Sequence, residues 1–268
     1  MTIWLLFLIL GVFTGLTSGL FGIGGGVIMV PVIFYSLRIL EFSPDQLMLI
    51  STKSSLAVIL FTSLYSSYNH NKTLPLNFKI LKGLAIFVVF GTLIGNYFVT
   101  KIEPRTLELL FMIYITTISL KMWFGFKNPD AKNDPPLFIN ALIGSLIGLK
   151  SAILGIGGGT ISIPYLTYRG VPIKEAAGIS AGLGVIIALM ATATNLISGI
   201  TQEIDFPPYT FGYIYFPGVL GILPTSLLFS RVGVNLSHKL PQEKLRKIFA
   251  IMLFALAIKN ITRYFGLL

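Results

Sequence analysis

The chain has 268 residues, 54% of them hydrophobic and only 11% charged, with a mean hydropathy of +0.83. Soluble domains carry about 25% charged residues, so most of this surface must face lipid and a water-soluble domain is excluded. The 20 Lys and Arg against 10 Asp and Glu fall between long apolar runs, where they orient segments in a membrane and do not mark a nucleic-acid surface.

The first residues, MTIWLLFLILGVFTG, lack a positive n-region and a small-residue cleavage site, and read as a retained membrane segment. Apolar stretches then follow at about 3–37, 46–66, 80–100, 105–124, 137–168, 175–197, 209–230 and 248–266. Six of the eight have the length of ~20 residues that crosses a hydrocarbon core. The first and fifth are too long for one crossing, and each is interrupted by a glycine cluster. The most polar connector, 127–136 (KNPDAKNDPP), separates a first membrane repeat, 1–126, from a second, 137–268.

The two halves repeat. Residues 15–31 read GLTSGLFGIGGGVIMVP and residues 148–164 read GLKSAILGIGGGTISIP, with ten of seventeen positions identical at an offset of 133. SLAVI at 55–59 answers GLGVI at 182–186, which sets Ser180-Ala181-Gly182 opposite Lys53-Ser54-Ser55. An internal duplication of this size is most common among transporters.

The positive-inside rule chooses between parallel and inverted copies. If all eight stretches cross, the Lys and Arg outside the apolar interior split 8 to 10 between the two sides, which favours neither orientation. If the two glycine-broken stretches are re-entrant hairpins, the split becomes 13 to 5. The expected fold is therefore an all-α integral membrane protein of two inverted repeats. Each repeat is a glycine-broken re-entrant hairpin plus three transmembrane helices, with both termini outside the cell membrane. The arm at 3–21 is long for half a hairpin, because at ~1.5 Å per residue it nearly crosses the core by itself.

Gly22, Gly24, Gly25 and Gly26, with Gly155, Gly157, Gly158 and Gly159, are the first candidate site. Non-helical backbone at membrane depth is tolerated only where protein buries it or it lines an aqueous cavity. Two helix N-termini facing each other there would hold an anion without any charged side chain. The plainer reading is that these glycines only let helices pack closely. Short polar residues surround the breaks, among them Ser18, Ser54, Ser151, Thr160 and Ser180, with Asn96 and Thr194 nearby. Their plainer role is a hydrogen bond to a carbonyl one turn back.

Lys53 and Lys150 are the two charges placed deep in apolar stretches, where an ionisable residue marks a functional position; the alternative is that they snorkel to an interface. No carboxylate lies deep in any segment, and Glu108 and Lys121 fall near segment ends. His70 and His238 fall in expected loops, on opposite faces and away from the breaks. No metal-ligand cluster and no nucleophile–base pair is present, so neither an intramembrane enzyme nor a cofactor is expected.

The doubled GxGGG with proline five residues on, the SLAVILFTSL at 55–64 and the HKLPQEKLRKIFA at 238–250 together resemble the sulfite exporter TauE/SafE family of membrane permeases. The resemblance covers essentially the whole chain. It implies a permease for a small anion, sulfur-containing or organic (sulfite- or sulfonate-like), moved outward. The family's second helix carries Gly-Thr-Ser where this chain has Lys53-Ser54-Ser55, so the substrate need not be sulfite. The expected partners are that anion and the lipid bilayer, with a homo-oligomer left open. A non-transporting membrane anchor or regulatory subunit, or an anion channel, is the alternative.

Overall fold

A computed structural model describes residues 2–22, 24–124, 135–201, 206–239 and 241–264. All but the last two residues of the connector expected at 127–136 lie outside these. The helices are α1 (Thr2–Phe21), α2 (Gly26–Ile39), α3 (Pro44–Thr73), α4 (Phe78–Val99), α5 (Pro104–Phe124), α6 (Leu137–Leu154), α7 (Gly159–Tyr168), α8 (Ile173–Thr201), α9 (Phe216–Lys239) and α10 (Gln242–Tyr264). Two short antiparallel strands, β1 (Thr210–Phe211) and β2 (Ile214–Tyr215), form a hairpin before α9.

Among the described residues, six helices are long and apolar enough to cross a membrane: α1, α3, α4, α6, α8 and α9. This is not the set that the hydropathy runs suggest. The first arms of both broken stretches, 20 and 18 residues long, reach crossing length.

The pairings follow the repeat. Helix α1 lies along α9 as α6 lies along α4, α3 packs on α8, and α5 packs on α10. Glycines set the closest approaches. A Cβ on Gly15 would stand 2.3 Å from Ser226 O, and one on Gly148 would stand 2.1 Å from Val88 O. Small residues let membrane helices approach to backbone contact, where dispersion does the work that hydrophobic burial does in water.

These contacts also give directions. Phe7 meets Tyr215, whose amide donates to Ser54 Oγ, while Ser18 O and Gly19 O meet Ser66 and His70; α1 therefore runs parallel to α3. Gly178 packs on His70 and Gly184 on Ser63, so α3 and α8 are antiparallel. Gly182 meets Leu81 while Asn96 meets Thr194, so α8 runs with α4. Gly91 on Ser145 and Gly95 on Leu149 add α6 to the same direction. Helices α1 and α3 therefore point the same way, as do α6 and α8.

One expectation is corrected here. Helix α3 continues to Thr73, past the end of the apolar run at 66, and takes His70 out of the expected loop. His70 is 1% exposed, with Nε2 2.9 Å from Gly19 O, three residues from the first break. His238 is in the last turn of α9, which runs with α1 and hence with α3, so the two histidines belong to the same end of the bundle and not to opposite faces.

Candidate functional site

Glycine is required where each first arm ends. Gly22 and Gly155 have φ of +59° and +68°, left-handed values that cost an L side chain about 1–2 kcal/mol. Gly24 and Gly25 share that conformation, and Gly25 caps α2 with no side-chain hydrogen bond. Gly158 caps α7 equally bare, with Gly157 just before it and Gly159 opening the helix. Both α2 and α7 therefore begin with amide groups that no capping side chain covers.

The breaks touch. A Cβ on Gly26 would fall 2.6 Å from Gly155 O and 2.8 Å from Ile59 Cδ1. A Cβ on Gly158 would meet Leu183 and Ile187. Ile59 and Ile187 lie near the midpoints of α3 and α8, so the contact sits at mid-height of the two longest helices.

Each break is tied to the opposite half by a serine. Ser55 Oγ donates to Gly155 O at 2.7 Å, and Ser180 Oγ donates to Gly22 O at 2.9 Å. Because Gly22 and Gly155 are repeat equivalents, Ser55 corresponds to Ser180. The register implied by SLAVI and GLGVI is therefore two residues off. The structural counterpart of Lys53-Ser54-Ser55 is Gly178-Ile179-Ser180, so Lys53 stands where the second half has glycine.

Lys53 is fully buried. Its Nζ donates to Asn96 Oδ1, Asn96 Nδ2 donates to Thr194 Oγ1, and Thr194 returns its proton to Met190 O at 2.8 Å. This row joins α3, α4 and α8 across the two halves. Lys150 is half-buried, with Nζ donating to Tyr114 OH at 2.9 Å and to Thr160 Oγ1 and lying 4.5 Å from the Tyr114 ring centroid. Neither ammonium reaches a carboxylate among the described residues. Glu108 faces Val30, Pro31, Phe34 and Met48 instead.

The remaining candidates divide. Ser54 Oγ accepts from Tyr215 N at 2.8 Å, pinning the β-hairpin beside Lys53. Ser18 and Ser151, equivalent in the repeat, are fully buried, and neither hydroxyl has a hydrogen-bond partner among the described residues. Ser63, fully buried against Gly24 and Gly184, is likewise unpartnered and had no sequence signal. Ser51 and Thr52 do bond carbonyls of their own helix. Ser55 becomes visible only once the repeat is placed in register. Tyr114 has no sequence signal, because it lies 36 residues from Lys150 on a helix of unremarkable composition.

Residues 7–260 match the family described as sulfite exporter TauE/SafE. The chain is 33% identical over 258 residues to a protein of Haemophilus influenzae named "Probable membrane transporter protein", covering 96% of this chain and 97% of that one. A protein of Methanocaldococcus jannaschii with the same type of name is 28% identical over 252 residues, covering 92% and 91%. One from Bacillus subtilis is 21% identical over 280 residues, covering 96% and 97%.

Proposed function

The chain belongs to the sulfite exporter TauE/SafE family, and from that membership we propose that it is a cell-membrane permease exporting a small sulfur-containing or organic anion. No cofactor and no bond-making step is part of this reading. Residues 1–126 and 137–268 are two inverted repeats, joined by the polar connector. In each repeat the first arm (α1 or α6) enters the membrane, the chain turns at the glycine break, and the second arm (α2 or α7) returns it to the side of entry. The parallel directions of α1 and α3 and of α6 and α8 support this reading, as does the antiparallel crossing of the equivalent helices α3 and α8.

The observation that carries the function is the contact of the two breaks at mid-height, where α2 and α7 both begin. Helix N-termini carry about half a positive charge each, and backbone amides in a water-poor interior bind anions strongly. The buried hydroxyls of Ser18, Ser63 and Ser151 add donors. An inside-negative potential expels an anion with about 2.3 kcal/mol per charge per 100 mV, roughly a 50-fold accumulation outside, so no coupling ion is required.

Transport is tested in reconstituted vesicles loaded with radiolabelled sulfite or ethanesulfonate. The expected result is efflux that follows an imposed potassium-diffusion potential and persists when the proton gradient alone is collapsed. Efflux that stops with the proton gradient contradicts the energetic part, and absence of efflux for every anion contradicts the function.

The topology is tested separately, since the chain has no cysteine. Single cysteines are placed at Thr2, Asn133, Arg169 and Leu268. An impermeant thiol reagent applied outside is expected to label positions 2 and 268 and to miss 133 and 169. Outside labelling of position 169 refutes the returning second arm.

A further inference from the structure

We propose that the β1–β2 hairpin is a gate: it closes the end of the bundle where α3 begins and α8 ends, and it lifts to let a solute reach the second break. That end is the outer one in the orientation proposed above. The inference rests on the transport reading and adds its moving part.

The hairpin belongs to the second half alone. Helices α8 and α9 are joined through it, whereas their repeat counterparts α3 and α4 are joined by residues 74–77. At that short connection Leu76 covers Gly178, with Cδ2 2.5 Å from a Cβ placed there. Gly178 is the counterpart of Lys53. The same corner of the fold is thus closed by a fixed side chain at one end and by a separate hairpin at the other.

The hairpin grips both ends of a buried polar row. Lys53, Asn96 and Thr194 form that row, and the hairpin holds the residue next to each end of it. Tyr215 N donates to Ser54 Oγ at 2.8 Å, beside Lys53. A Cβ on Gly212 would meet Asn195 O, beside Thr194, and a Cβ on Gly199, one turn on, would stand 2.5 Å from Gly212 Cα. Phe42 and Phe7 flank the Tyr215 ring, at 5.5 and 6.4 Å between centroids. Ser54 shares its turn of α3 with Thr52, which packs on Gly155, and with Ser55, which donates to Gly155 O. The hairpin therefore stands one helical turn from the second break.

Apolar burial holds the hairpin down, and local strain opposes it. Tyr213, Ile214 and Tyr215 are 8%, 2% and 6% exposed. The turn residues Gly212 and Tyr213 have φ of +56° and +64°, and Tyr209 has +61°. A two-residue hairpin turn of this kind requires positive φ, but a tyrosine adopts it only under strain, and such strain gathers in segments that switch. Seating the hairpin also leaves two buried polar atoms, Asn195 Nδ2 and Thr210 Oγ1, with no hydrogen-bond partner among the described residues. Water satisfies both once the hairpin lifts. The internal bonds, from Thr210 N to Pro207 O and from Phe216 N to Tyr209 O at 3.1 Å each, are kept in that movement. The hairpin is a preformed unit that swings with the start of α9.

Two measurements test the gate, the first without transport. In the full chain in detergent, Asn195→Cys is expected to react slowly with a polar thiol reagent. Ser54→Ala removes the acceptor of the Tyr215 amide, and Gly212→Val drives a side chain into Asn195 O. Either should speed the reaction on the order of tenfold, the equilibrium worth of about one hydrogen bond. Unchanged reactivity of position 195 in a variant that still melts cooperatively overturns the gate. The second measurement pins the hairpin. The bond between Tyr215 N and Ser54 Oγ brings these residues within disulfide reach, so Ser54→Cys with Tyr215→Cys is oxidised in vesicles loaded with radiolabelled ethanesulfonate. Efflux is expected to fall about tenfold or more on oxidation and to return with dithiothreitol. Equal efflux from the oxidised and reduced forms overturns the proposal. Absence of efflux from the parent chain counts against the transport reading and leaves the labelling result to decide whether the hairpin lifts.

Discussion

Gly155→Ala is expected to cost about 3–5 kcal/mol, lowering the melting temperature in detergent on the order of 10 °C and abolishing transport. Three physical terms act at this position. The residue has φ +68°, which an L side chain adopts at about 1–2 kcal/mol. The new methyl group would stand 2.5 Å from Thr52 Cα and 2.6 Å from Thr52 O. Both are backbone atoms of a 30-residue helix that cannot step aside, so overpacking adds about 1–3 kcal/mol. Moving α3 away from the break also stretches the bond from Ser55 Oγ to Gly155 O, worth about 1 kcal/mol. Gly83→Ala is the control. A Cβ there meets nothing within 4 Å, and replacing helical glycine by alanine is neutral or gains up to about 1 kcal/mol. If the two variants melt and transport alike, the break is not the rigid junction described above.

Asn96→Asp is expected to raise thermal stability and lower anion affinity on the order of 100-fold. The substitution is nearly isosteric, and it replaces the amide that accepts from Lys53 Nζ by a carboxylate. A fully buried ammonium with a neutral acceptor becomes an ion pair held within the chain. An incoming anion must then compete with a partner that is always present at the lysine. The loss of the amide donor to Thr194 Oγ1 is the smaller term, because Thr194 keeps its own bonds to Met190 O and Ala191 O. Asn96→Leu separates the two effects. It leaves Lys53 without an acceptor and should destabilise the chain by about 2–3 kcal/mol without supplying a competing charge. A carboxylate at position 96 that leaves anion affinity at the parental level would show that Lys53 does not meet the substrate.

How much of this was legible before the fold was known depends on the range of the signal. Membrane residence, the duplication and the position of both breaks are properties of contiguous windows. Hydropathy adds up along a segment, and four glycines within five residues interrupt a helix wherever they occur. Gly22–Gly26 and Gly155–Gly159 could be named from composition and repetition, and the structure adds only which residues are left-handed. The lysines, too, were conspicuous because a charge inside an apolar run is expensive regardless of its neighbours.

What the lysines touch was not legible. Asn96 and Thr194 come from helices 43 and 141 positions away from Lys53, and Tyr114 comes from the helix before the connector. Nothing in a window around Lys53 or Lys150 distinguishes a snorkelling side chain from one held by those partners. The equivalence of Ser55 with Ser180 was missed for a related reason. Apolar residues in a buried helix substitute freely, so SLAVI and GLGVI align plausibly in a register that the carbonyls of Gly22 and Gly155 contradict. His70 was misplaced because polarity at 67–73 signals a loop only if the surface around it is solvent. Here α1 and α8 cover it. By itself the sequence determined the solvent, the repeat and the points where helices break, since each depends on local free energies of transfer and backbone conformation. The directions of the helices, the meeting of the two breaks and the partners of each lysine were decided only by tertiary packing, because they depend on which backbones glycine allows into contact.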